Sequence, residues 1–173
     1  MALVLDDVDV HAEIRISDAL PIDLIRSAIA VQLRTVSSIG QVHEYEPFMA
    51  QARSLREYMG VGVGHAQRIH GWTITRARTP EVRDTQRQNN RFYHYHIRGY
   101  YGVTDQGATE LRFQRLIEAV CNAFRDQETD WELSGVCEYI EPPQVLRVDH
   151  VMLVGVLCHY VEILIVARTQ IDW

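Results

Sequence analysis

The stretch NNRFYHYHIRGYYG, residues 89–102, decides how this chain folds. Read with a period of two, it sets Tyr93, Tyr95, Ile97 and Tyr101 on one face. Phe92, His94, His96, Arg98 and Tyr100 share the other. Aromatic and β-branched residues suit a pleated surface, so the pattern predicts a long strand with one apolar and one mixed face. A chemical alternative attaches to the same residues. His94 and His96 on one face offer two ligands to a metal, and a catalytic site then needs at least a third ligand with one position left open. His150, His159 and Glu162 are the candidates, and no motif spacing selects among them. Histidine between tyrosines packs acceptably on a sheet, so packing is the preferred reading and no metal or cofactor is expected.

Working outward, HGWTITRAR (70–78) predicts a partner strand with Trp72 and Ile74 on one face. The polar connection TPEVRDTQRQNN (79–90) is too long for a tight turn and predicts a hairpin with an extended tip carrying Arg83, Arg87 and Asn89. Downstream, DQGATELRFQRLIEAVCNAFRDQ (105–127) is the clearest helix, its stripe running Phe113, Leu116, Ile117, Val120, Cys121 and Phe124. Two strands follow, QVLRVDHVMLV (144–154) and VLCHYVEILIVART (156–169), with Gly155 as a turn or bulge between them. Upstream, SDALPIDLIRSAIAVQLRTVSSIG (17–40) predicts a helix that Pro21 opens and Gly40 closes, with Ile22, Ile25, Ile29, Leu33 and Val36 on its apolar face. QVHEYEP (41–47) reads as a short strand, 48–59 as a weaker helix, and GVGVGH (60–65) as a loop. The expected architecture is a single-domain α+β fold, an antiparallel sheet with two main helices packed on one face and a long hairpin loop. It occupies residues 20–173, preceded by an N-terminal arm at 1–19.

Composition excludes several chemistries. All 17 basic residues are arginine, so no lysine is present to form a Schiff base or to hold a nucleotide phosphate. A net charge of −6 argues against a basic nucleic-acid surface. Cys121, Cys137 and Cys158 are widely spaced and odd in number, which fits a reduced compartment and neither a disulfide framework nor a zinc knuckle. Acids at the start of the chain do not suit a signal peptide. The apolar run 151–167 is too short and too interrupted by His159 and Glu162 to cross a membrane.

Nucleophile motifs are missing too. Cys158-His159 and Asp149-His150 are adjacent, so on a strand each pair points to opposite faces. GVGVGH lacks the spacing and the ending of a phosphate loop, and no G-x-S-x-G occurs. The arginines of 76–91 are interrupted by Glu81 and Asp84; they suit a solvated loop or a protein contact better than DNA.

Four stretches taken in order resemble the tail terminator (tail-completion) proteins of long-tailed bacteriophages and prophages. They are VSSIGQVHEYEPF (36–48), IHGWTITRARTPE (69–81), the unit from His96 to Phe124, and PPQVLRVDHVMLVGVLCHYVEILIVART (142–169), with IRGYYG and GVLCHY as the most particular patches. The resemblance spans about 20–170. It implies a compact α+β subunit in a ring, typically of six, that caps the finished tail tube and joins it to the head-side connector or stopper. It implies a place at the tail–neck junction of a virion made in a bacterial cytoplasm. It brings no catalytic residues, so an enzyme is not expected. On this reading DNA passes through the ring without specific binding. The tip residues Arg83, Arg87 and Asn89 are the expected tube or neck contact. Leu3, Leu5, Val8 and Val10 of the arm, with Phe92 and Tyr100, are the expected subunit contacts. The alternatives are another neck, connector or tail-tube component, or a metal-dependent enzyme using His94 and His96.

Overall fold

A computed structural model describes residues 20–47, 52–62, 68–85, 88–104, 107–125 and 132–172. The chain is α+β. In order it forms α1 (Pro21–Arg34), β1 (Gln41–His43), α2 (Ala52–Met59), β2 (Gly60–Val61), β3 (Arg68–Arg78), β4 (Glu81–Arg83) and β5 (Gln88–Gly102). Then follow α3 (Thr109–Ala123), β6 (Tyr139–Ile140), β7 (Gln144–Leu153) and β8 (Val156–Asp172).

The stretch read first is β5, and it lies at the centre. It pairs antiparallel with β3 on one side and along its whole length with β8 on the other, from Gln88↔Asp172 to Gly102↔Cys158. The sheet runs β1-β3-β5-β8-β6, with β7 also against β8. One pair departs from the antiparallel expectation: β1 runs parallel to β3. Parallel neighbours need a crossover, and the segment containing α2 supplies it. α2 ends in Met59, which packs on Gly71 of β3. Met59, Ile69, Tyr100, Cys158 and Tyr160 form a small second core. The sheet face opposite the two main helices is therefore covered at one corner.

The main core forms as the alternation predicts. Tyr93, Tyr95 and Ile97 of β5 meet Val161, Ile163, Ile165 and Ala167 of β8 and Trp72 and Ile74 of β3, under α1 and α3. Ile25, Ile29 and Leu33 anchor α1 by complete burial, each contributing roughly 1.5–3 kcal/mol. The polar atoms of this core are satisfied: Tyr95 donates its hydroxyl to the Ile22 carbonyl at 2.6 Å, and Trp72 Nε1 donates to Ile39 O at 2.9 Å. Gly99, directly opposite Trp72, makes room for the indole; a Cβ there would lie 2.6 Å from a ring carbon.

Two local expectations change. α1 ends at Arg34, before Gly40, because the Thr35 and Val36 N–H groups turn inward to Gln32 O and Leu33 O and the Thr35 hydroxyl also bonds Gln32 O. The connection after β3 is also less extended than its length suggests. A bulge between Arg76 and Arg78 and the Thr79-Pro80 break interrupt the ladder, after which β4 pairs again with Asn89, Asn90 and Arg91. Pro80 has no N–H to give, but its carbonyl accepts from Phe92 N and keeps the strand in register.

Candidate functional site

The mixed face of β5 carries a polar network. Glu162, facing Arg98 across the β5–β8 ladder, accepts from His96 Nδ1 at 2.6 Å and from Arg98 Nε at 3.0 Å. Arg98 also reaches Glu46, whose other oxygen accepts from the Tyr100 hydroxyl at 3.2 Å. Burial works to raise the Glu162 pKa, but the hydrogen bonds from His96 and Arg98 outweigh it and hold the carboxyl below its usual range. Arg98 is thus clamped between two carboxylates, and Arg147 of β7 lies over the Tyr160 ring with its guanidinium carbon 5.7 Å from the centroid.

His94 shares this face, as the alternation predicts, but not the network. Its Nδ1 is buried without a hydrogen-bond partner, and burial, aided by Arg78, holds its pKa below the usual value. The other ligand candidates divide between the two faces. Glu162 lies with His96, whereas His159 is turned toward α3, where Nε2 meets Thr109 Oγ1 at 3.0 Å and the ring stacks on Phe113. His150 stands opposite His159. Among the described residues no group of three histidine, cysteine or acidic side chains is placed to hold a metal ion.

The expected contact residues are scattered. Arg83 is exposed on β4 and pairs in register with Asn89, which is half-buried in the ladder with Ile171. Phe92 is half-buried opposite Arg168, and Tyr100 is buried in the second core. Arg87, Leu3, Leu5, Val8 and Val10 lie outside the described residues.

Two surfaces were not singled out by the sequence. The first is β7. Its cross-strand partners Ile163 and Val161 face the core, so Val145 and Val148 point to the helix side of the sheet, yet α3 does not reach over them; Val148 is 55% exposed. Between α3 and β7 runs an open groove of about 800 Å³, lined along the helix from Leu111 to Asn122 and on the strand by Val145 and Val148. Leu146 and Met152 extend the exposed apolar surface of the strand. The second surface is the outer side of α1, where Leu20, Leu24 and Val31 point away from the core. The signals were present: apolar residues on both faces of 145–153, and a second stripe at spacings of four and seven opposite the first.

No helix among the described residues is long and apolar enough to cross a membrane. No family model matches the chain, and no curated protein matches its sequence.

Proposed function

We propose that this chain is a structural subunit of virion assembly, a tail terminator of a long-tailed phage that closes as a ring on the finished tail tube and joins it to the head-side neck. The observation that carries the assembly reading is the β7 edge, which among the described residues pairs only with β8, together with its apolar groove. Ten residues of strand, with Val145, Leu146, Val148 and Met152 exposed, form a surface suited to another protein. The order of elements supports the terminator in particular: the helix, the paired strands, the strand–helix unit and the closing hairpin follow one another as in the family the sequence resembles. The net charge of −6 supports a ring through which DNA slides without sticking, since phosphates meet few free cations.

Removing the gene from its phage tests this by electron microscopy of lysates. A terminator's loss leaves filled heads unjoined and tubes of unregulated length. Tubes of normal length assign the chain to the connector or stopper instead, and the absence of tubes assigns it to the tube. Replacing Arg83 and Arg87 together by alanine is expected to preserve the fold and lower the yield of joined particles. Normal titre from that variant removes the tip from the contact.

A further inference from the structure

We infer that a row of rings, His70–Tyr101–His159–His150, forms an acid-sensitive seat for α3: it holds the first turn of the helix while the imidazoles are neutral and releases that turn when they take up protons. The seat is independent of the terminator reading.

The row follows from register. His70 of β3 stands opposite Tyr101 of β5, Tyr101 opposite His159 of β8, and His159 opposite His150 of β7. Ring centroids lie 4.7 Å apart for His70 and Tyr101 and 4.8 Å apart for His159 and His150. Phe113 of α3 packs on Tyr101 and His159, at 5.8 and 5.9 Å. His70 and His159 are buried, and His150 is exposed at the outer end.

The start of α3 depends on this row. Its N-cap residue, Ala108, has a left-handed φ of 46° and makes no side-chain hydrogen bond. Thr109 holds the turn instead. Its hydroxyl lies 3.2 Å from both Thr104 O and Thr104 N and 3.0 Å from His159 Nε2. A hydroxyl has one proton, so satisfying all three contacts puts that proton on Thr104 O, and Oγ1 accepts from Thr104 N–H and from His159 Nε2–H. The neutral imidazole therefore carries its proton on Nε2.

A second proton on His159 is opposed in three ways. It places a full charge in a buried position, at the positive N-terminal end of α3, beside His150. The groups facing the ring are Thr109, Glu110 and Phe113 from α3, Tyr101 from β5 and His150 from β7; Arg112 lies beside Gly107 at the same end. Of these only the Glu110 carboxylate favours the charged form, and it is exposed and bonded to Gln114. Burial and then His150 hold the His159 pKa below its usual value, against Glu110. At the inner end, the Gly40 backbone and Tyr101 enclose His70, and its Nε2 has no partner. Burial brings the His70 pKa down to about 4. Both rings are thus neutral in the closed fold at a pH where a solvated imidazole is charged. As pH falls through about 6.5, the open form takes up protons that the closed form refuses, and opening gains at most about tenfold per histidine for each pH unit.

Hydrogen exchange of the full chain, read by mass spectrometry at about pH 7.5 and about pH 5.5 and divided by intrinsic rates, tests the seat. Thr104 N–H and Arg112 N–H, bonded to Thr109 Oγ1 and Ala108 O, report the first turn; Tyr95 and Ile97 in the central ladder report the whole fold. Protection of the first turn is expected to fall by about three- to tenfold between the two conditions, with the ladder unchanged. His159→Gln keeps a donor for Thr109 but cannot titrate, so its protection should be independent of pH. His150→Gln, at an exposed position, removes a charge that opposes the proton on His159 and should shrink the response. Three results overturn the seat: equal protection in the parent under both conditions, an undiminished response in His159→Gln, or joint loss of protection in turn and ladder, which is acid unfolding of the whole chain. Where His159→Gln does not fold, His150→Gln decides, and an undiminished response there overturns the seat as well.

Discussion

Replacing Gly99 by alanine tests the central packing of the sheet. Gly99 faces Trp72 across the β3–β5 ladder, and a Cβ would stand 2.6 to 2.8 Å from three carbons of the six-membered ring. The indole is fully buried between helices and sheet, and its Nε1 is tied to Ile39 O, so it has no free direction in which to retreat. Overpacking of this kind costs about 1–3 kcal/mol, and weakening the indole hydrogen bond adds about 1 kcal/mol. A loss of about 2–4 kcal/mol lowers the melting temperature of a chain this size by about 4–16 °C. Urea unfolding followed by tryptophan fluorescence and by circular dichroism reads the change. The specific element is the coupling: Trp72→Phe alone loses a hydrogen bond and leaves a cavity, but it vacates the space that the new methyl needs. The double variant should therefore be more stable than the sum of the single losses predicts, by about 1 kcal/mol or more. Strict additivity, or a Gly99→Ala protein within about 0.5 kcal/mol of the parent, would refute the reasoning.

Other predictions concern charge and turn geometry. Glu162→Gln keeps an acceptor for His96 and Arg98 but removes the charge, and should cost about 1–2 kcal/mol at neutral pH. Because the folded carboxyl titrates below its unfolded value, its contribution is fully present above about pH 4.5 and disappears as pH falls through the folded pKa. The gap between parent and variant in urea unfolding should therefore narrow as pH falls below about 4.5, and a gap independent of pH would contradict the clamp. Val154→Asn should raise stability by about 0.5–1 kcal/mol. The β7–β8 hairpin turns through two residues, Val154 and Gly155, with φ of 47° and 77°, which is the sign pattern of a type I′ turn that Asn-Gly suits and a β-branched residue resists. A loss of stability on that change would mean that the packing of Val154 against the second core outweighs its backbone strain.

The alternation in 92–101 made the centre of the fold legible because period-two patterning is set by the pleat and survives any tertiary context. The stripe of α3 was legible for the same kind of reason, and the hairpin around Gly155 was marked by the glycine itself. What the pattern did not carry was register and partnership. Nothing local to QVH says that β1 pairs parallel with β3, since the partner strand begins more than twenty residues further along, beyond the crossover that contains α2. The end of α1 was misplaced because Gly40 looked like a stop, while the hydroxyl of Thr35 and the inward N–H groups had already closed the last turn. On the candidate site, the shared face of His94 and His96 followed from spacing, but the capture of His96 by Glu162 depends on how β5 is aligned with β8. The α3–β7 groove was harder still, for it exists only because α3 stops short of the sheet's edge.

That edge is where the physical argument for assembly is strongest. Sheets ordinarily protect an outer strand with proline, inward charge, brevity or a covering helix. This chain applies such a device a few residues away: Pro142 and Pro143 interrupt the run between β6 and β7, the segment before them bonding to β8 through Glu138 N and Glu141 N and β7 after them through its ladder. Along β7 protection lapses. A bulge between Val145 and Arg147 bends one end and Arg147 pairs with Asp149 on the polar face, yet Val145 and Val148 remain uncovered on the helix side. The opposite face was treated differently, with Arg98 neutralised by two carboxylates and Tyr100 buried. On the proposed reading, the aliphatic side chains left exposed along β7 are where another protein makes contact. A soluble, permanently monomeric protein with this sequence, stable in concentrated solution with β7 accessible to solvent, would contradict that conclusion whatever its biological role.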